Sequence, residues 1–175
     1  SSSMPIRDIE WYGGVNAEHP VYSNRGVNGI DGVVSTAVGV ALASGRPTTL
    51  LIGDIACVHD ANGLWNLTRR QADLRVVVVN NSGGAIFGFL AQARELDNEQ
   101  FETLFGTPHS VSFESLAAAY GIAYKSVADL DGLRAALAVE GPVLIEARTD
   151  RSTNVAAHDH VNSLIASSAI SESGV

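Results

Sequence analysis

Two kinds of hydrophobic pattern divide the chain. Residues 49–52 (Thr-Leu-Leu-Ile) and 76–79 (four valines) are short, unbroken, β-branched runs, as in strands buried on both faces of a parallel sheet. Residues 122–127 and 142–147 predict two further strands, and residues 20–23 a short one near the start. Small apolar residues at 32–44 predict a helix packed closely on the sheet and stopped by Gly45-Arg46-Pro47. Asp31 stands near the start of that helix, where the helix dipole favours a carboxylate. Other helices are expected around Leu64, Trp65, Leu67 and Arg69-Arg70 (a solvated pair), from Val111 to Tyr120 with Ser112 and Ser115 at its cap, and over 129–139. Met4-Pro5-Ile6 reads as the start of an ordered segment and Trp11–Gly14 as a turn. Residues 85–90 are apolar although they lie beyond a strand end, and 91–103 are polar. Past Asp150 the register weakens. The alternation of strands and helices indicates an α/β domain of three layers, helices on both faces of a mostly parallel central sheet. It is expected to span 1–166, with a flexible tail at 167–175.

Composition narrows the class. The 175 residues are 46% hydrophobic and 17% charged, enough for one domain with a sizeable core. A net charge of −8 and a pI near 4.9, without basic runs, argue against nucleic-acid binding. No apolar run reaches the ~20 residues of a membrane span, and no signal peptide pattern opens the chain. The single cysteine, Cys57, excludes an intrachain disulfide, fits a reducing compartment and reads as a small core residue. A soluble, cytoplasmic protein is expected. Ser1 in place of an initiator Met is expected to mark a processed or cut-out piece.

The chemistry concentrates where the two central strands end. The first is followed by Gly53-Asp54, the second by Asn80-Asn81-Ser82-Gly83-Gly84. Ligand sites in open α/β sheets lie at such carboxyl ends, so Asp54 and Asn81, 27 residues apart, are expected side by side at the rim. One carboxylate, one amide oxygen and a nearby backbone carbonyl form an all-oxygen set suited to Mg²⁺, with a diphosphate filling the other positions. Gly53, Gly83 and Gly84 would let the backbone approach that diphosphate. Two ordinary strand-to-loop turns would also produce these residue pairs.

Gly-Asp followed at this spacing by the second Asn of Asn-Asn resembles the diphosphate-binding motif of thiamine diphosphate (ThDP) enzymes. That resemblance implies metal ligation by Asp54, Asn81 and the Gly83 backbone oxygen, with Mg²⁺ or Mn²⁺ as the ion. Ile55 departs mildly from the small residue usual after Gly-Asp. Asn24-Arg25-Gly26-x-x-Gly29-Ile30-Asp31-Gly32-x-x-Ser35, Gly83-Gly84-x-Ile86-Phe87, Leu90 and Ser3-x-x-x-Arg7 are similar to one subfamily. It comprises the menaquinone-pathway synthases of 2-succinyl-5-enolpyruvyl-6-hydroxy-3-cyclohexene-1-carboxylate. Nearly the whole chain looks like the C-terminal, diphosphate-binding domain of these enzymes. The family decarboxylates 2-oxoglutarate on ThDP, the electron sink, and adds the succinyl carbanion equivalent to isochorismate.

The resemblance assigns Gly53, Asp54, Ile55, Asn81, Gly83 and Gly84 to the cofactor, and Ile30 to propping ThDP in its bent form. Arg25, Arg7 and Ser3 become candidates on the substrate side, where arginine's fork matches carboxylates; solvated positions are the ordinary alternative for Arg7 and Ser3. Ile86, Phe87 and Leu90 become an apolar wall that keeps water from the reaction, or simply core. His59, five residues after Asp54, could face the site, whereas His158-Asp159-His160 reads as a solvated turn. The family also implies a homo-oligomer, a dimer or dimer of dimers, in which an N-terminal pyrimidine-binding domain of the partner subunit supplies the activating glutamate. The chain alone is therefore expected to lack synthase activity. Two alternatives stand: another ThDP-dependent 2-oxo-acid enzyme, or a non-catalytic assembly module. A Rossmann dinucleotide site is disfavoured, because Gly26-x-x-Gly29-x-x-Gly32 is not its fingerprint.

Overall fold

Four parallel strands form one sheet in the order β1-β2-β4-β3. The computed structural model describes residues 1–14, 19–27 and 29–172; Asn28 of the glycine-rich loop and the end of the tail, 173–175, lie outside the described residues. Along the chain run α1 (Met4–Tyr12), α2 (Val33–Ser44), β1 (Thr48–Gly53), α3 (Asp54–His59), a 3-10 turn (Ala61–Leu64), α4 (Trp65–Arg69) and β2 (Leu74–Asn80). A 3-10 turn (Ala85–Phe89), α5 (Gln92–Glu95), α6 (Asn98–Phe101) and a π turn (Glu102–Gly106) follow. Then come α7 (Phe113–Ala119), β3 (Ala123–Val127), α8 (Leu130–Leu137), β4 (Val143–Arg148), a 3-10 turn (Arg151–Thr153) and α9 (Asn154–Glu172). These elements divide into two compact units, Ser1–Gly83 with His109–Thr149, and Gly84–Pro108 with Asp150–Val175.

The first unit is built on the sheet. Side chains of successive strand residues point to opposite faces. On one face Leu50, Ile52, Leu74, Val76, Val78 and Leu144 pack with Val34 and Val38 of α2, Leu67 of α4 and Phe113 of α7. On the other, Val77, Val143 and Ile145 pack with Ala136, Leu133 and Leu137 of α8. Each buried Val or Leu contributes ~1.5–3 kcal/mol relative to exposure. The expected α/β/α arrangement with a parallel sheet is thus the architecture of this unit.

The start of α2 is secured from a distance. Gly32, at φ 68°, offers no side-chain cap. Asp60, buried, fills the role: its Oδ2 accepts from the N–H groups of Val34 (2.7 Å) and Ser35 (3.1 Å). Gly63 lets its loop come this close, for a Cβ there would stand 3.1 Å from Val34 Cβ. Asp31 stands just before Gly32, near the start of the helix as expected, and lies 3.1 Å from His59 Nδ1. Asp60→Ala is expected to destabilise the protein by about 1–2 kcal/mol, as loss of a helix cap does; urea unfolding measures it, and an unchanged midpoint would refute the assignment.

Several local expectations differ from the structure. Residues 20–23 are not a strand: Pro20 lacks an N–H, Val21 and Tyr22 are exposed, and the segment joins no ladder among the described residues. No turn forms at Trp11; α1 continues through Tyr12, and Gly13 N–H closes it on Ile9 O (2.9 Å), where a Cβ would clash with that oxygen. The helix expected around Leu64 to Arg69 is present as the 3-10 turn and α4, and a further short helix, α3, begins at once after β1.

In the second unit, Arg151 ties the loop around α6 by donating to Glu102 (2.6 Å) and Gly106 O (3.0 Å). Phe105 meets Phe87 edge-on and stacks with Phe101. The expected flexible tail from Ser167 is helical as far as Glu172. Ser163, Ser167 and Ser168 donate their hydroxyls to the carbonyls four residues back, so a serine-rich stretch need not leave the helix. His158 and His160 sit on this helix, not in a turn, with His158 against Phe89. Among the described residues no helix is long and apolar enough to cross a membrane.

Candidate functional site

The parallel pairing of β1 and β2, with Gly53 opposite Val79, brings both strand ends to the same height. Asp54 leaves β1 there and is 2% exposed. Its Oδ2 accepts from the N–H groups of Asn81 (3.1 Å) and Gly83 (3.0 Å), and its Oδ1 from Ile55 N–H (2.7 Å). The two turns are therefore one structure, cross-linked through a buried carboxylate.

The loop after β2 is shaped by Asn80. Its Oδ1 accepts from Ser82 N–H (3.0 Å), and Ser82 takes a left-handed conformation at φ 59°. Its Nδ2 donates to Glu146 Oε1 (2.6 Å) on β4, and its backbone oxygen accepts from Thr149 N–H (2.9 Å). Asn80 being so occupied, the second asparagine is the one left for other work. Asn81 Oδ1 is inaccessible to solvent and has no hydrogen-bond partner among the described residues. A buried polar atom without a partner costs about 1–3 kcal/mol, and a bound cation would remove that cost. The oxygen set of Asp54, Asn81 and the Gly83 carbonyl fits a hard divalent ion such as Mg²⁺ or Mn²⁺. No cluster of three or more His, Cys, Asp or Glu residues with metal-binding geometry occurs among the described residues; this set needs none.

Glu146, 1% exposed, anchors the site from below. It accepts from Asn80, from the Tyr124 hydroxyl and from Arg148 Nε (3.0 Å). Burial pushes its pKa up, but the bonds from Arg148, Tyr124 and Asn80 outweigh burial and hold it below the ordinary carboxylate value. Burial, then the bond to Glu146, pushes the Tyr124 hydroxyl up. Cys57 is fully buried and pushed up to about 12, by burial first and then by Asp60 and Asp54, so it is an inert core thiol. His109 Nε2 lies 3.2 Å from Asp54 Oδ2.

The remaining candidates are distributed over both units. Gly53 has open space where a Cβ would be, whereas at Gly84 a Cβ would meet Phe105 O at 2.6 Å, so internal packing already requires that glycine. Arg7 donates to Ser3 O (2.7 Å) within α1. Arg25 is half-exposed, 3.6 Å from Glu10. Ile30 is exposed in the loop before α2. Ile86 and Phe87 are partly buried in the second unit, and Leu90 is exposed. His59 pairs with Asp31 rather than with Asp54. A cavity of about 590 Å³ lies elsewhere, lined by Ile6, Ile9, Val40, Leu51 and Leu137 and by none of Asp54, Asn81 or Gly83. Glu146, Asp60 and His109 carry no motif; each is distant in sequence from what it supports, and a buried Glu between apolar strand residues was the single visible sign.

Residues 14–147, more than half of the chain, match the family described as thiamine pyrophosphate enzyme, C-terminal TPP binding domain. The chain belongs to that family. Thiamine pyrophosphate is thiamine diphosphate, and the domain is the one that binds it. The chain is similar to 2-succinyl-5-enolpyruvyl-6-hydroxy-3-cyclohexene-1-carboxylate synthases from several bacteria. It is 42% identical to that of Chloroflexus aurantiacus over 99% of the chain and 30% of the relative, and 44% identical to that of Paenarthrobacter aurescens over 94% and 30%. It is 45% identical to that of Rubrobacter xylanophilus over 90% and 28%. The chain thus spans about 30% of the length of these curated relatives.

Proposed function

We propose that the chain is the ThDP- and metal-binding part of a menaquinone-pathway synthase that joins 2-oxoglutarate, after decarboxylation, to isochorismate. The observation that carries the metal reading is the orphaned Asn81 Oδ1 beside a buried, donor-fixed Asp54 carboxylate at the ends of two parallel strands. Mg²⁺ or Mn²⁺ would be held by Asp54, Asn81 and the Gly83 carbonyl, and the diphosphate would approach over Gly53. When bound, ThDP supplies the electron sink for decarboxylation. The chain's own residues hold and orient. The loop amides fix Asp54, which opens α3, Ile55 follows it with its N–H on Asp54 Oδ1, and Ile30 would meet an apolar part of the cofactor. Arg25, with Arg7 and Ser3, would meet substrate carboxylates, for an arginine fork binds them in bidentate fashion. Ile86, Phe87 and Leu90 would keep water from the reacting carbon.

The reading extends to a cytoplasmic enzyme working as a homo-oligomer, a dimer or dimer of dimers, completed by an N-terminal pyrimidine-binding domain. Identity to synthases over almost the whole chain supports it. In the full-length enzyme, Arg25→Ala is expected to cut kcat/KM at least tenfold for the two acids while leaving ThDP affinity within about twofold, a loss of ~1.4 kcal/mol or more in transition-state binding. Equal loss of cofactor affinity would remove Arg25 from the substrate side. A full-length protein that makes no adduct from 2-oxoglutarate and isochorismate, yet decarboxylates another 2-oxo acid, would overturn the substrate assignment. The 175-residue chain by itself is expected to show no turnover.

A further inference from the structure

His109 reaches Asp54 from another part of the sheet unit. Its Nε2 is 3.2 Å from Asp54 Oδ2, with the two side chains 17% and 3% exposed. Val111 N–H donates to His109 Nδ1 (3.2 Å), so in the neutral ring the proton resides on Nε2, the nitrogen turned to the carboxylate. The ring is set edge-on against Phe113, 6.3 Å between centroids, and Phe113 is 1% exposed in the core at the start of α7. The imidazole is thus fixed on two sides independently of Asp54. Nε2 is buried and makes no aligned hydrogen bond among the described residues; such contacts at active sites are often long before the ligand arrives and tighten with it.

The donors around Asp54 are unevenly shared. Oδ2 faces the N–H groups of Asn81 and Gly83 as well as His109, while among the described residues Oδ1 accepts from Ile55 alone. We propose that His109 is a positioning residue for the metal-binding carboxylate. With the two loop amides it holds Oδ2, so that Asp54 is offered to a divalent cation through its less encumbered oxygen. Outer partners of this kind orient a ligand before the ion binds, and their loss costs about 10–100-fold in metal affinity. The inference rests on the metal reading above.

Two measurements on the 175-residue chain test it. The first is metal-free: amide NMR of wild type and His109→Ala. The N–H signals of Asn81 and Gly83, which share Oδ2, are expected to move, while those of Val76 and Val78 stay. Unmoved Asn81 and Gly83 signals would overturn the proposal whether or not a metal binds. The second is a Mn²⁺ titration read by electron paramagnetic resonance with ThDP present. His109→Ala is expected to bind Mn²⁺ at least about tenfold more weakly, and His109→Gln, which restores an N–H at similar reach, to recover most of the loss at equal Tm. Equal weakness of the Ala and Gln variants, or wild-type affinity in both, would overturn it. Absence of Mn²⁺ binding in the wild type itself would instead refute the metal reading, and the inference with it.

Discussion

Replacing Asp54 with alanine is expected to abolish magnesium-dependent binding of thiamine diphosphate. The variant loses the charged member of the oxygen set, so the loss should exceed the ~100-fold upper range for an outer partner. It also strips the acceptor from three backbone donors, those of Ile55, Asn81 and Gly83. Each such bond contributes about 1 kcal/mol, partly offset because a buried carboxylate no longer has to be desolvated. A stability loss of about 1–3 kcal/mol should accompany the loss of binding. Asp54→Asn separates the two effects: it keeps the volume and one acceptor oxygen, so the fold should survive while metal dependence disappears. Calorimetric titration with and without Mg²⁺, beside thermal unfolding, reads both. If Asp54→Asn still bound the cofactor in a magnesium-dependent way, the ion would have to sit elsewhere.

Glu146 should produce the second large effect, on stability. Its removal by Glu146→Leu leaves buried Asn80 Nδ2 without an acceptor; Tyr124 is only partly buried and keeps a bond with Ser126, and Arg148 is largely exposed, so these two lose little. One orphaned buried group implies a loss of about 1–3 kcal/mol. The pH dependence has a definite sign. The folded pKa lies below the ordinary value of 4.5, so the carboxylate contributes stability above that value and loses it as the pH falls through the folded pKa. Urea unfolding of wild type and Glu146→Gln at pH 7 and near pH 3 should therefore show a larger decline for wild type. Parallel declines would mean that other carboxylates govern acid unfolding. Because Asn80 shapes the turn that presents Asn81, the same variant is expected to weaken metal binding as well.

The central strands, and the meeting of Asp54 with the turn at Asn81 and Gly83, were legible because unbroken β-branched runs, each ending in small polar residues, mark neighbouring strand ends. Ser112 and Asp129 likewise cap α7 and α8 from within their own turns, accepting from Ser115 and Gly132 N–H groups. What was not legible depends on partners far along the chain. Asp60 acts 26 residues from Val34, and Glu146 acts 66 residues from Asn80. Residues 20–23 have strand-like side chains but find no ladder, and a strand is a property of two segments. The serine-rich stretch of α9 misled in the opposite direction, because hydroxyls that favour loops in water can also bond back to their own helix.

The in-register pairing of β1 and β2 has a consequence for how this protein could be rewired. Asp54 and Asn81 meet because neighbouring strands end together, not because 27 residues separate them. The connector contributes Asp60, Leu64 and Leu67 to the core, but the turn at Gln71, exposed and at φ 51°, contributes to neither core nor site. New chain ends opened there, or a foreign domain inserted there, should leave cofactor affinity intact. A slip of one residue between the strands would turn the valines of β2 from one core face to the other, and would separate Asp54 from its amides in the same step. Cofactor affinity is therefore also a gauge of strand register, and lengthened or permuted variants could be screened by it.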